Sequence, residues 1–536
     1  MPGHSVRARP PRGASLVPSI ARDPDVVASV LEDAAHFPGG HAAGIAVPSS
    51  EAQVAALLRT GSTILPIGAQ SSLTGGATPM GEVVLSTARL NKILDIGPDW
   101  VRVQPGVTLV DLDAALAKAG KYFPPTPTYT GAFVGGILAT NAAGAATFKY
   151  GTTRDWVRAL TVVLPDGDVL DLARGATVAT PDGQFEIVLR DRTARIQVPR
   201  YRMPSVPKSS AGYFSAPDMD LIDLFIGSEG TLGVITEATL RVLPARPAVC
   251  LAFVPCADRR TALALVTRLR DAARDTWRDG DPRGLDVSAI EHMDARCLAL
   301  LREDGADRLC GVAAPASATI ALLVTLELPP ATTSAQAFDE IGQAREPHAA
   351  DTPLVRFCQM LDQAGVLDDV EIAVPGDRAR AEQLVAFREA VPAAVNARVG
   401  RAKQSVDARI AKTAADMIVP FEHLEELLDL YDAEFGRDRL DLAVWGHISD
   451  GNLHANVIPR SLDDVESGKI AILACGRNVI RLGGSPLAEH GVGRNPVKQQ
   501  LLRDLYGREG VDAMRAVKRA LDPAFTLSPG VVFAER

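Results

Sequence analysis

The chain has 536 residues, 47% hydrophobic and 23% charged, with a formal net charge of −9. That length exceeds what one core usually serves, so two or three domains are expected, and an acidic balance with no basic stripe speaks against nucleic acid. No run of about 18 apolar residues exists to form a membrane-spanning helix, and the six cysteines contain no CxxC pair for an iron–sulfur cluster or zinc ribbon.

Residues 1–21 bear arginines but no apolar core, so they read as a disordered tail and not as a secretory signal. Apolar spacing predicts an amphipathic helix over Asp25 to Phe37, and Ser49 or Ser50 caps another over residues 51–61. A strand from Thr63 to Ile67 runs into the glycine-rich GAQSSLTGGA, and Val83–Leu85 and Val101–Val103 read as further strands. Thr108 starts a helix that Gly120 closes. Residues 124–151 open with prolines, and ten of the seventeen residues from Gly131 to Thr147 are glycine or alanine. Val157–Leu164, a Pro-Asp-Gly turn and Val169–Leu172 form a hairpin. Leu224–Ile226 reads as a short strand that leads through GSEGTLG into another. Prolines at 244 and 247 mark a boundary, beyond which alternating strands (Cys250–Val254, Ile320–Leu328, Leu442–Trp445) and long helices (261–274, 378–399) suggest a second α/β domain. Helical patterns around SPLAEHGVGRNP fill residues 471–536.

Three glycine-dense segments, 68–81, 131–144 and 227–233, each follow a short apolar run. Loops of glycine and small hydroxyl residues let backbone N–H groups approach a pyrophosphate, although any one of them equally serves an ordinary turn. None is G-x-G-x-x-G opening a helix or G-x-x-x-x-G-K-[ST], so neither a Rossmann nor a Walker site is indicated.

Near the C-terminus, WGHISDGNLH places Asp450-Gly451 between apolar flanks, a two-residue hairpin signal. A turn centred there pairs His447 directly with His454, and two imidazoles on one face of a hairpin can chelate a metal ion. Glu489 of EHGVG offers a carboxylate to complete a two-His-one-carboxylate set, leaving His490 as a base. Satisfied polar histidines are the plainer alternative.

PIGAQSSLTGG, then VGGILATNAAG…KYGTTRDWV, then IGSEGTLGVITE resemble, in order and spacing, the FAD-binding domain of the vanillyl-alcohol-oxidase/p-cresol-methylhydroxylase superfamily. The resemblance implies an α+β fold: a two-subdomain FAD-binding domain over 22–246, an α/β substrate (cap) domain over 247–470, and a C-terminal helical segment over 471–536 completing the active site. It implies that Pro66, Gly68, Ala69, Gln70, Ser71, Ser72, Leu73 and Thr74 wrap the pyrophosphate. Pro127, Thr128, Gly131, Gly135, Gly136, Thr140, Asn141, Gly144, Thr147, Tyr150 and Gly151 would line the rest of the cofactor. Glu229, Gly230, Gly233, Val234 and Ile235 would lie along its adenosine side. Many members tether the flavin through a histidine in the first loop; Ala69, Gln70 and Ser71 stand here, so FAD is expected to be non-covalent.

GHISDGNLH and EHGVG resemble the motifs of the D-lactate, glycolate and D-2-hydroxyglutarate dehydrogenase branch, with Ser449 where glycine is usual. In that branch the equivalents of His447, His454 and Glu489 bind a divalent metal, usually zinc or manganese, and that of His490 is the base. FREAV supplies Arg388 and KTAADMIVP supplies Lys412, which by resemblance approach the substrate carboxylate; Asn452 would bond substrate or flavin. The implied function is FAD-dependent oxidation of a small D-2-hydroxy acid to the 2-oxo acid. A non-redox flavin transferase of the alkyl-dihydroxyacetone-phosphate synthase type, or a non-catalytic flavin subunit of a glycolate oxidase complex, is the alternative. Electrons would leave to a quinone, an electron-transfer flavoprotein or a cytochrome. A cytoplasmic protein is expected, peripheral to a membrane only through that acceptor, with homodimerisation left open.

Overall fold

The computed structural model describes every residue except Met1, Ser15, Thr126, Thr128, Glu535 and Arg536. Two units divide the chain: Met1–Gly144, Gly151–Pro244 and Gly483–Arg536 form the first, Ala145–Tyr150 and Ala245–Leu482 the second.

In the first unit, strands Gly44–Ala46 and Ile64–Ile67 both pair in parallel with Val83–Ser86 between them, and Ile20–Ala21 adds an antiparallel edge. The crossover between the outer two is helix Glu51–Leu58, which starts at Ser50 because that hydroxyl accepts the Gln53 N–H at 3.3 Å. Val54, Leu57 and Leu58 are buried against Ile64 and Leu85, each contributing about 1.5–3 kcal/mol by leaving water. A five-stranded sheet carries the expected hairpin, Val157–Val163 with Val169–Ala173, beside Val234–Arg241, Trp100–Val103 and Ile93–Ile96. The C-terminal residues complete this unit. Ile64 N–H donates to the Thr526 carbonyl and Ser528 N–H to the Ile64 carbonyl, both at 2.8 Å, and Leu527 is buried in the same core.

Three local expectations are corrected. The tail is ordered in part: Ser5–Arg7 is a strand parallel to Gln184–Val188, and the Arg9 guanidinium forks onto Glu51 at 2.7 and 2.8 Å. The helix expected over 25–37 stops after Pro24–Ala28, because further on Ala34 and Ala35 give their N–H groups to the carbonyls of Gln70 and Ser72. Tertiary bonds to the glycine loop thus outcompete the helix. Leu224–Ile226 is not a strand; Ile222–Phe225 is one fully buried helical turn, the confusion inherent in a short apolar run.

The second unit is built on an antiparallel sheet. Its order is Glu371–Ala373, Ala248–Cys256, Ile320–Leu328, Val287–Asp294, Leu442–His447, Asn452–Val457 and Thr413–Ala414, with Met417–Ile418 also on Asn452–Val457. The 28-residue helix Arg378–Ser405 buries Leu384, Phe387, Val391 and Val395 in one core with Met293 and Trp445. Ala145–Tyr150 belongs here because Lys149 is held by Asp286 at 2.7 Å and Glu327 at 2.6 Å, and the Tyr150 hydroxyl donates to Glu327 at 2.6 Å. Among the described residues no helix is long and apolar enough to cross a membrane.

Candidate active site

The first unit encloses a cavity where the loop after Ile64–Ile67, the helix Val134–Ala139 and the loop 228–235 meet. Pro66, Gly68, Ala69, Gln70, Ser71, Ser72, Leu73, Pro127, Gly135, Gly136, Thr140, Glu229, Gly230, Gly233, Val234 and Ile235 line it. Gln70 takes a positive φ of 51°, and its amide donates to the carbonyls of Val30 and Ala77, which pins the loop open around the cavity. A Cβ added at Gly136 would meet nothing within 4 Å, so there the wall is backbone facing open space. An aperture bordered by small residues on two loops and a helix fits a dinucleotide with a large planar ring system.

Other positions fall elsewhere. Thr74, Gly131, Asn141, Gly144 and Gly151 are not on the cavity wall; Asn141, for example, turns its Oδ1 to the Arg154 N–H. Thr147 and Tyr150 belong to the second unit, and Thr128 lies outside the described residues. Pro105, Tyr129, Phe133 and Ile137 also line the cavity. The positions named from the motif resemblance, in which glycine and small polar residues predominate, do not include these four.

Glu489 and His490 stand on the same wall. Glu489 is half-buried and ion-paired with buried Lys208 at 2.8 Å, and its other oxygen lies 3.5 Å from His490 Nε2. Glu229 clamps this loop, accepting the N–H groups of Val492 at 2.8 Å and Gly493 at 2.9 Å. Desolvation pushes the Glu229 carboxyl up to about 7 despite those two bonds. Gly493 has φ 57°, and a Cβ there would fall 2.3 Å from Thr74 Oγ1. Thr74 is therefore a floor for the His490 loop instead of part of the cavity. Lys208 had no signal in the sequence, since nothing local links it to a residue 281 positions away.

In the second unit the hairpin register differs from expectation by two residues. Ile448–Asp450 forms a 3-10 turn, Gly451 takes φ 86°, and His447 pairs with Asn452 while Trp445 pairs with His454. A slip of one would have thrown a histidine to the opposite face; a slip of two keeps both on one face. Their ring centroids lie 5.5 Å apart and both are buried. Ser449 repays the missing glycine: its hydroxyl accepts the Ile290 N–H at 3.1 Å and its carbonyl accepts Arg270 Nε–H at 2.6 Å.

Around this pair stand Asp416, with Oδ1 3.5 Å from His454 Nδ1, and Glu291, with Oε1 3.1 Å from His447 Nδ1. Two imidazoles and buried carboxylates are the donor chemistry of a borderline divalent cation. Asn452 donates its amide to the Met417 carbonyl at 2.9 Å, tying the neighbouring strand. The two expected substrate cations differ. Arg388 is buried with its guanidinium on Glu291 at 2.8 Å and Glu389 at 2.9 Å. Half-buried Lys412 has no hydrogen bond or ion pair among the described residues, and desolvation pushes its ammonium down to about 8.

Comparison with known proteins agrees with this geometry. The FAD binding domain family matches residues 42–173, and the C-terminal domain family of FAD linked oxidases matches residues 256–532. The chain is similar to glycolate oxidase subunit GlcD of Bacillus subtilis, at 30% identity over 88% of this chain and 84% of that protein. It is also similar to the D-2-hydroxyglutarate dehydrogenase of Xanthomonas citri pv. viticola, at 30% identity over 91% of this chain and 89% of that one. The D-lactate dehydrogenase of Anaerostipes hadrus is 29% identical over 88% and 84%. A solved alkyldihydroxyacetonephosphate synthase shares the fold, with a TM-score of 0.56 at 17% identity, over 90% of this chain and 75% of that one.

Proposed function

This chain belongs to the family of FAD linked oxidases, and from that premise we propose that it oxidises a small D-2-hydroxy acid to the 2-oxo acid. The names of three relatives support the substrate class, because glycolate, D-lactate and D-2-hydroxyglutarate share a hydroxyl beside a carboxylate. The observation that carries the reading is the placement of His490 and Glu489 on the wall of the glycine-lined cavity. A base there has the acceptor of electrons for its neighbour.

The oxidation removes two electrons and two protons from the C2 carbinol. Bound FAD supplies the acceptor for the C2 hydrogen and its electron pair, and a divalent cation, zinc or manganese, supplies electrophilic assistance. His447, His454 and Glu489 are the residues proposed to hold the cation, with Asp416 a further oxygen beside His454. His490 takes the hydroxyl proton. Lys412, a cation without a partner among the described residues, holds the substrate carboxylate; Arg388 already has two carboxylates, and Asn452 keeps its strand in place.

The test is anaerobic mixing of the FAD-loaded chain with D- and L-forms of lactate and 2-hydroxyglutarate, and with glycolate. Loss of the visible flavin absorbance with at least one of them is the expected result. A flavin that stays oxidised with all of them rejects the dehydrogenase reading in favour of non-redox chemistry.

A further inference from the structure

Strand pairing sets Glu291 directly opposite His447 and Met293 opposite Trp445, so the Glu291 and His447 side chains rise from the same face of the sheet. Helix Arg378–Ser405 covers that face and delivers Arg388. The result is a buried chain of three groups. Arg388 Nη2–H donates to Glu291 Oε2 at 2.8 Å, and Glu291 Oε1 lies 3.1 Å from His447 Nδ1. Their exposures are 6%, 8% and 3%, so water does not substitute for any link.

We propose that Glu291 is a positioning residue for the cation site: by accepting the Nδ1–H of His447 it fixes the tautomer whose Nε2 carries a lone pair, and Arg388, bonded to its other oxygen, holds Glu291 in place. The inference rests on the reading above that His447 is a metal ligand. A carboxylate has only acceptors, so a neutral imidazole facing it must present Nδ1–H. An oriented, more basic imidazole binds a cation more tightly than a free rotor does. The geometry is fixed from below as well. Ser449 is tied to Ile290, the residue before Glu291, and to Arg270, so the turn after His447 and the strand carrying Glu291 are joined by bonds outside the sheet ladder. At His454 the Asp416 Oδ1 lies 3.5 Å from Nδ1.

The experiment measures Mn2+ affinity of the full-length, FAD-loaded chain against a competing chelator dye, alongside FAD content and melting temperature. Glu291→Gln is expected to weaken Mn2+ binding by about 10- to 100-fold with FAD content unchanged. Because that variant strands the Arg388 charge, the double variant Glu291→Gln/Arg388→Met removes both charges and is expected to show the same loss. Mn2+ affinity equal to the parent in either folded variant overturns the inference. In the parent chain, 15N-histidine correlation spectra assigned with His447→Gln are expected to show His447 protonated at Nδ1; a proton on Nε2 overturns it without any Glu291 variant. A parent that bleaches with a 2-hydroxy acid yet takes up no Mn2+ or Zn2+ overturns the metal reading itself, a different result from variants that bind as the parent does.

Discussion

The cavity wall of the first unit is largely backbone and small side chains, whereas the face around His447 in the second unit is built from long charged groups that hold one another. The first region shapes a space; the second fixes the direction of lone pairs. A cavity shaped by backbone tolerates chemistry in its occupant and loses function when it is filled. A network of side chains fails when any one member is removed, because its partner is left buried and unsatisfied.

The largest effect that would test this contrast is at the wall residue assigned the role of base. His490→Asn is expected to slow anaerobic flavin reduction by about 10²- to 10⁴-fold with FAD still bound, measured by stopped-flow absorbance. Reduction at the parental rate would remove His490 from the mechanism. Next, His454→Ala is expected to lower metal affinity by on the order of 10² or more, read as metal content after dialysis, while FAD content holds. Loss of FAD together with metal would show that the two regions are not separable.

Lys412→Met is expected to raise KM for the hydroxy acid about ten- to a hundredfold, the worth of a charge-assisted hydrogen bond of about 1.5–3 kcal/mol, with a smaller change in kcat. The same residue predicts a pH limb. Its ammonium, pushed down to about 8, is charged below that pH and neutral above it, so kcat/KM falls as pH rises through 8. Lys412→Arg keeps its charge and is expected to flatten that limb; a limb unchanged by it belongs to another group. The smallest effect tests the backbone wall. Gly136→Ala places a methyl in open space on a helix, so the chain without FAD is expected to gain about 0.5–1 kcal/mol in stability while FAD binding weakens, followed by thermal melting with and without FAD.

What the sequence disclosed follows the same division. Glycine loops are local, so Gly68 to Leu73 and Gly230 to Ile235 could be named from the resemblance of short motifs. The parity of the histidine hairpin was also legible, since His447 and His454 share a face in either register. The register itself was not, because a 3-10 turn and a two-residue turn draw on the same Asp450-Gly451 signal. Glu291 and Lys208 were invisible: each acts on a residue more than 150 positions away in the chain, and no local pattern encodes a partner at that range. Arg388 was noticed, but its partners were not, since a sequence shows that a guanidinium is present and not that Glu291 and Glu389 contact it.

The bond pair between Ile64 and residues Thr526 and Ser528 has a consequence for biosynthesis. Ala245–Leu482, apart from the short stretch 145–150, is a continuous insertion that is translated in full before Gly483. The sheet edge at Ile64 must wait for residues made more than 450 codons later. Maturation of the nascent polypeptide therefore runs inside out, with the interrupted unit closing only after the inserted one is available to fold.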